Sequence, residues 1–355
     1  MKIAIMIPPY DIISQGYGTK AKVRGVGNWP PLGAGYIAAV LEQKKHVVKI
    51  IDAPAKGYSN KEVVEEIKAF NPDVLGVSSV TASAKQAYSL IHELKKEFNL
   101  PIMFGGIHVT CFPEEVVREV PEVDIFVFGE GEETVVEVVD KLEKKEEMRG
   151  VLGIWYKDSN GQVIKNEMRK PIENLDQIPI LSWHLYDFKF YKPLPLQYKK
   201  LPIAPVITSR GCPWRRCTYC FQAGKAAQPY RRHSPQRVIE EIKLLVNKYK
   251  VKEIAFWDDN FLINEKWINE FCQLLEKENI KVPWQCYGKV NSITPTMLKT
   301  VAKAGCWNVF YGLESGNQDL LNNINKGITL EQVKNAVKLT HEAGMDTRGS
   351  FMLAL

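Results

Sequence analysis

The chain reads as two α/β units in series, a doubly wound parallel sheet followed by a partial β/α barrel. Three observations predict this. Short apolar runs alternate with helical runs from the first residues onward, the pattern of buried parallel strands and their crossover helices. The alternation breaks between residues 148 and 195, where a hairpin signal and a Pro- and aromatic-rich stretch intervene. The length, 355 residues, exceeds the size at which one hydrophobic core stops growing, so about two domains are expected.

In the first unit, residues 2–7 form an apolar strand halted by Pro8 and Pro9. They lack a small-residue cleavage site and so read as a strand, not a signal peptide. A helix is expected over 32–42, a strand over 47–52, an amphipathic helix over 61–70 and a strand over 74–79. A helix over 84–98, strands over 101–104 and 125–128, and helices over 113–120 and 132–145 complete it. Residues 153–157 and 162–164 flank the turn Asp158-Ser159-Asn160-Gly161 and read as a β-hairpin. Residues 175–195 read as a packed linker, because Trp183, Tyr186, Phe188 and Tyr191 need cover. In the second unit, strands are expected over 204–208, 253–257, 284–287, 308–312 and 348–353. The helices between them are expected over 235–249, 266–278, 295–304 and 330–343.

Composition excludes several classes. Hydrophobic residues make up 45% and charged residues 25%, as in a globular protein. No run of about eighteen uncharged apolar residues exists, so no membrane span is expected. A net charge of +6 reads as a lysine-rich solvated surface, and no nucleic acid is expected as a partner. Of seven cysteines, Cys111, Cys272, Cys286 and Cys306 are scattered through apolar segments, which fits free thiols in a reducing cytoplasm.

Ligands of doubly wound sheets bind beyond the C-terminal ends of the strands. The loops there carry Ser78-Ser79-Val80-Thr81, Gly105-Gly106-Ile107-His108 and Gly129-Glu130-Gly131-Glu132. Each alone is ordinary turn chemistry; together they favour a ligand crevice, with small residues for close approach and donors for polar groups. His108, a lone imidazole after a Gly-Gly turn, reads as a hydrogen-bonding residue rather than a metal ligand. With the helix start Pro30-Pro31-Leu32-Gly33-Ala34-Gly35-Tyr36, these loops resemble the cobalamin-binding domain that precedes radical SAM domains. The resemblance covers roughly residues 1–145. It implies cobalamin contacts from Ser79, Thr81, Gly105, Gly106, Gly129, Glu130 and Gly131. Many cobalamin proteins supply an imidazole to cobalt from Asp-x-His-x-x-Gly. Here Asp52-Ala53-Pro54-Ala55-Lys56-Gly57 has Pro54 in the histidine position, so a bound cobalamin would lack that lower ligand, and an empty domain stays open.

The first barrel strand runs into Cys212, Cys217 and Cys220. Three thiols can hold three corners of a [4Fe–4S] cubane and leave one iron open. A zinc site is the alternative, but a structural zinc needs a fourth ligand, and the nearest imidazole is His233. Neighbouring strand ends carry Asp258-Asp259-Asn260, Gly312-Leu313-Glu314-Ser315, and Arg348 with Ser350. Carboxylates for an ammonium or ribose, with an arginine for a carboxylate, suit an amino-acid-like ligand.

From residue 196 to the end the chain resembles the radical SAM superfamily. That resemblance implies a [4Fe–4S] cluster on Cys212, Cys217 and Cys220. S-adenosylmethionine would chelate the open iron, and its reductive cleavage would give methionine and a 5′-deoxyadenosyl radical. Tyr219 would lie beside adenine, Asp258 or Asp259 near the methionyl ammonium, Glu314 at ribose or ammonium, and Arg348 at the carboxylate, with Ser350 in the same site. One departure is the spacing: four residues separate Cys212 from Cys217, one more than the usual Cys-x3-Cys-x2-Cys.

The expected organisation is a cobalamin-binding-like Rossmann domain over 1–147, a hairpin and linker over 148–195, and a radical SAM barrel over 196–355. The last strand ends the chain where the family continues, so a barrel of about five of six strands, truncated at the C-terminus, is expected. The expected activity is cobalamin-dependent methylation of an unactivated carbon, in the cytoplasm. The substrate is small or lipid-like, and a ferredoxin or flavodoxin serves as electron donor. The rivals are a cyclase or rearrangement enzyme with an empty cobalamin domain, and a non-catalytic scaffold.

Overall fold

The computed structural model describes residues 1–10, 27–224 and 227–353. The chain divides into two compact units, Met1–Ile172 with Ile178–Pro195, and Glu173–Gln177 with Leu196–Leu355.

The first unit is built on β1 (Lys2–Ile7), β2 (Val47–Asp52), β3 (Val74–Ser78), β4 (Ile102–Gly105), β5 (Ile125–Val127), β6 (Ile154–Lys157) and β7 (Val163–Lys165). They form one sheet in the order β2-β1-β3-β4-β5-β6-β7. The first five are parallel, and the β6–β7 hairpin extends the sheet antiparallel. Helices Leu32–Gln43, Asn60–Phe70, Ala84–Glu97 and Glu132–Lys144 pack around it. That cover is why the strands are apolar on both faces, with Ile3, Ala4, Leu75, Ile102 and Phe126 inaccessible to solvent. The order 2-1-3-4-5 puts the switch point between β1 and β3, where such sheets hold ligands. The aromatic linker is packed as its composition demands: Trp183 stacks on Phe188 at 5.8 Å, and Tyr186 meets Tyr191 edge-on at 5.8 Å.

The second unit contains β8 (Ile203–Val206), β9 (Ser209–Arg210), β10 (Arg231–Arg232), β11 (Glu253–Phe256), β12 (Trp284–Gly288), β13 (Cys306–Glu314) and β14 (Asp346–Phe351). Strands β8, β11, β12, β13 and β14 form a parallel sheet in chain order. Helices Pro235–Asn247, Glu265–Lys277, Pro295–Lys303 and Leu330–Glu342 connect them. This is the partial β/α barrel expected. Its core is aromatic: Phe256 lies 4.6 Å from Phe261 and 5.4 Å from Trp284, centroid to centroid. Among the described residues no helix is long and apolar enough to cross a membrane.

Near the start of the barrel strands lies a buried polar layer. The Glu253 carboxylate is inaccessible to solvent. It accepts from the backbone N–H groups of Lys199 (2.7 Å) and Lys200 (2.6 Å), from Gln285 Nε2 (3.2 Å) and from Trp307 Nε1 (2.9 Å). Burial still pushes its carboxyl up. Replacing Glu253 with alanine leaves four donors without their acceptor, at about 1–3 kcal/mol for each that water cannot reach. We expect a loss of about 3–5 kcal/mol in denaturant unfolding, the range seen when one partner leaves a buried polar network.

Candidate active site

Strand β8 delivers the chain to Thr208 and Ser209, and the cysteine loop begins there. Asp258, buried at the end of β11, fixes that start. Its Oδ1 accepts from Thr208 N (3.0 Å), Thr208 Oγ1 (2.9 Å) and Ser209 Oγ (2.5 Å). Burial pushes the Asp258 carboxyl up, and the Arg232 guanidinium opposes this. Arg232 is itself half-buried, stacked 3.6 Å over Trp267 and donating to Phe261 O at 2.9 Å. The short β9–β10 ribbon closes the base of the loop.

Within the loop the three thiols are half-buried. Cys220 N donates to Cys217 O at 3.0 Å, and Thr218 N to Ile324 O at 3.0 Å, so backbone bonds shape the turn. The enlarged Cys212–Cys217 segment is held by Trp214. Its Nε1 donates to Asn325 O at 2.8 Å, and its ring lies flat on Gly327, where a Cβ would come within 2.0 Å of it. Gly327 also has φ +67, a conformation that glycine adopts freely. The extra residue is thus taken up in a bulge docked on the turn at 324–327.

Around the loop, Glu314 ends β13 with φ +64 and is buried. Lys326 Nζ donates to Glu314 Oε1 at 2.7 Å and to Tyr219 Oη at 3.2 Å. Burial, with the Glu314 carboxylate beside it, pushes the Tyr219 phenol up. Asp259 is exposed and accepts from Gln222 Nε2 at 2.9 Å. Burial pushes the Cys217 and Cys220 thiols up; Lys326 opposes this at both and Lys289 at Cys217. The structure therefore gathers Cys217, Cys220, Tyr219 and Glu314, with Asp259 on the loop's flank. Asp258 faces the backbone behind the loop. Arg348 points elsewhere: it donates to Asn308 Oδ1 at 2.9 Å and to Gln285, in the polar layer of Glu253. Ser350 is half-buried on β14, opposite Gly312.

The geometry bears on the metal. Zinc–thiolate bonds of about 2.3 Å in a tetrahedron set thiolates roughly 3.8 Å apart. Among the described residues, the one trio of His, Cys, Asp or Glu with ligand atoms within 4.8 Å of one another is His46, Asp140 and Glu143. That trio lies in the first unit, where the Met1 ammonium is 3.1 Å from His46 Nδ1 and 3.5 Å from Glu143. His233 is also committed: Nδ1 meets Asp176 Oδ1 at 2.9 Å, and burial pulls the imidazole down to about 4. Three half-buried thiols with the half-buried cations Lys289 and Lys326 near them fit a cluster whose thiolates carry negative charge. Sequence reading missed Lys289, Lys326 and the docking role of Trp214. Lys289 was findable, because it directly follows a barrel strand; Lys326 sits on a turn after a short helix, where no pattern marks it.

In the first unit the crevice loops lie beyond β3, β4 and β5. Ser79 Oγ is buried with no hydrogen-bond partner. Gly106 has φ +101, and a Cβ there would stand 2.5 Å from Ser79 O. Val80, Ile107 and Phe112 expose apolar surface on the same loops. An orphaned hydroxyl, a close backbone approach and apolar surface fit a large planar macrocycle with polar side arms. The other residues have local work. Thr81 Oγ1 meets His108 Nδ1 at 3.3 Å, and His108 Nε2 meets Tyr88 Oη at 2.7 Å. Burial pulls the His108 imidazole down. Gly129 N donates to Thr110 Oγ1 at 3.0 Å, and Glu130 Oε2 accepts from Ile172 N at 2.9 Å. A Cβ on Gly131 would meet Ile37 at 2.9 Å, so it serves helix packing, whereas one on Gly105 would make ordinary contact at 3.5 Å. His108 lies on a short helix, Ile107–Cys111, which is too brief to show a period in the sequence.

The Asp52–Gly57 stretch is one capped turn. Asp52 Oδ1 accepts from Ala55 N at 3.1 Å, Gly57 ends the turn at φ +68, and Tyr191 Oη donates to Asp52 Oδ2 at 3.0 Å. Burial pushes the Asp52 carboxyl up to about 6. The folded state then keeps a proton that the unfolded chain has released, so stability falls as pH rises from about 4 to 6. A shift of roughly two units is worth about 3 kcal/mol. Asp52→Asn removes this term. Its stability relative to wild type should therefore rise by up to that amount between pH 4 and 7 in denaturant titrations.

Comparison with known proteins agrees with both units. Residues 19–139 match the B12 binding domain and residues 206–355 the radical SAM superfamily. An uncharacterised methyltransferase of Pyrococcus horikoshii is 36% identical over 99% of this chain and 74% of its own length. The anaerobic magnesium-protoporphyrin IX monomethyl ester cyclase of Rubrivivax gelatinosus is 32% identical over 93% of this chain and 60% of its own. The cobalamin-dependent S-adenosylmethionine radical enzyme OxsB, with aqua-cobalamin bound, superposes with a TM-score of 0.80 at 21% identity. That match covers 99% of this chain and 49% of OxsB, and it shows the fold. The cofactors are accordingly a [4Fe–4S] cluster, S-adenosylmethionine and cobalamin. The chain belongs to the radical SAM superfamily of enzymes, in the class that carries a B12-binding domain.

Proposed function

We propose that this chain catalyses cobalamin-dependent methylation of an unactivated carbon. The observation that carries the reading is the pairing, in one chain, of a three-thiol loop after the first barrel strand with a crevice beyond β3 and β4 around Ser79 and Gly106. Cys212, Cys217 and Cys220 hold the cluster. Tyr219, exposed beside it, takes the adenine side. Asp259 is the exposed carboxylate of its pair and takes the ammonium, while Asp258 positions the loop. Glu314 is held for ribose or ammonium by Lys326. Arg348, engaged by Asn308 and Gln285, sets the barrel's inner polar layer, with Ser350 above it on β14. Ser79, Thr81, Gly105, Gly106, Gly129, Glu130 and Gly131 line the cobalamin side. Residues 1–147 are the cobalamin domain, 148–195 the hairpin and linker, and 196–355 the barrel.

Cobalamin, when bound, carries a methyl group from S-adenosylmethionine to the substrate carbon. The molecule that gives up its methyl group would leave as S-adenosylhomocysteine; a second, taking up one electron, would give methionine and a 5′-deoxyadenosyl radical, which would take the hydrogen atom from the substrate carbon and leave as 5′-deoxyadenosine. A ferredoxin or flavodoxin in the cytoplasm would supply the two electrons of each turnover, one for this cleavage and one for the methyl transfer. The cyclase relative supports a second reading, oxidative ring closure on the same scaffold. Cobalt content after anaerobic reconstitution tests the first unit. Cobalamin at one equivalent per chain supports methyl transfer, whereas an iron-loaded chain that retains no cobalt contradicts it.

A further inference from the structure

Lys289 is a half-buried lysine that meets no carboxylate among the described residues. It follows Gly288 at the C-terminal end of β12, on the barrel face that carries the cysteine loop. Its ammonium lies 3.7 Å from the centroid of the Trp214 ring, the closest approach of a cation to that loop's aromatic residue; Arg216 is 5.2 Å from the same ring. Burial pulls the Lys289 ammonium down, and the groups that favour its charge are Cys217 and Cys212. Lys326 also favours the thiolates of Cys217 and Cys220, but it is paired with Glu314 at 2.7 Å. Trp214 is in turn clamped between Asn325 O and Gly327. The bulge created by the extra residue of the cysteine spacing thus carries an indole platform, and Lys289 on that platform faces the charges of Cys217 and Cys212 with no carboxylate partner among the described residues. Stacking on an indole keeps such a cation in place at a desolvated position.

We propose that Lys289, positioned by Trp214, sets the reduction potential of the cluster on Cys212, Cys217 and Cys220 by favouring its reduced, more negative state. The inference rests on the cluster assignment above. Reduction adds one electron, from a low-potential one-electron reductant, and no bond breaks. A fixed positive charge nearby favours the added negative charge, and net charge around a cluster is one of the levers on its potential. Lys289 touches neither substrate nor reacting atoms and is a positioning residue.

The test is an EPR-monitored redox titration of the full chain, anaerobically reconstituted, with dithionite and mediators and no S-adenosylmethionine. Lys289→Gln should take up as much iron as wild type. At a fixed potential its reduced-to-oxidised ratio should fall roughly tenfold, a shift of about 59 mV to more negative potential. Lys289→Arg should restore the wild-type value. Should Lys289→Gln assemble no cluster, Trp214→Leu decides. That variant keeps the charge but releases the ammonium to water, and its potential must also move negative. A loaded Lys289→Gln or Trp214→Leu cluster at the wild-type potential overturns the proposal. A wild-type chain that binds no iron fails the cluster assignment itself.

Discussion

Replacing Cys217 with alanine should abolish both iron uptake and cleavage of S-adenosylmethionine while leaving the fold in place. The loop does not depend on the thiol for its shape. Its turn is closed by Cys220 N to Cys217 O and anchored by Thr218 N to Ile324 O, both backbone bonds that alanine keeps. Asp258 still fixes the loop's start, and Trp214 still docks on Gly327. What is lost is one of three cluster ligands. Removing an outer-shell partner of a metal ligand costs about 10–100-fold, so losing a ligand outright should take cleavage more than a hundredfold down, to background. Iron and sulfide content and the EPR signal of the reduced protein check the first part, and an unchanged unfolding midpoint checks the second. Full iron in the variant would place the cluster elsewhere.

Gly106→Ala should be the most damaging small change in the first unit. The new Cβ would meet Ser79 O at 2.5 Å and Ser79 N at 3.0 Å. Both are backbone atoms of the strand end, which cannot swing aside as a side chain does. The residue also sits at φ +101, where a non-glycine residue is strained by about 1–3 kcal/mol. Relief requires β3 and β4 to part at the crevice, so cobalamin retention should fall at least tenfold with a stability loss of about 2 kcal/mol or more. Gly33→Ala is the control. Its Cβ would meet nothing within 4 Å, so cobalamin binding should stay within about twofold of wild type. Equilibrium dialysis against hydroxocobalamin compares the two variants. Equal binding by both would remove the crevice from the account.

The sequence displayed the architecture because its signals are local and repeated. Strands such as Val74–Ser78 and Ile102–Gly105 are apolar on both faces. The cysteine loop was equally legible, since ligand spacing survives in one dimension. What stayed hidden depends on side-chain direction. Asp258 and Asp259 are adjacent in sequence, yet one is sealed behind the loop and the other exposed. Arg348 opens the strand expected over 348–353 and reads in the sequence as a ligand residue, but β14 starts at Asp346 and the Arg348 side chain is engaged by Asn308 and Gln285. Trp214 reads as packing, and only the structure shows that it holds the enlarged loop and Lys289 together. Partnerships over long separations, such as Tyr191 with Asp52 or Lys326 with Tyr219, leave no mark in a periodic pattern.

The central claim is that one chain joins cluster-based cleavage of S-adenosylmethionine to methyl carriage by cobalamin. It is tested most directly by identifying the products of S-adenosylmethionine after anaerobic incubation of the full-length, iron- and cobalamin-loaded protein with a one-electron reductant. The account predicts 5′-deoxyadenosine and S-adenosylhomocysteine together, the first lost in Cys217→Ala and the second lost when cobalamin is omitted. A fully loaded protein that releases 5′-deoxyadenosine without S-adenosylhomocysteine would contradict the methyl-transfer reading, and one that releases neither would contradict the whole.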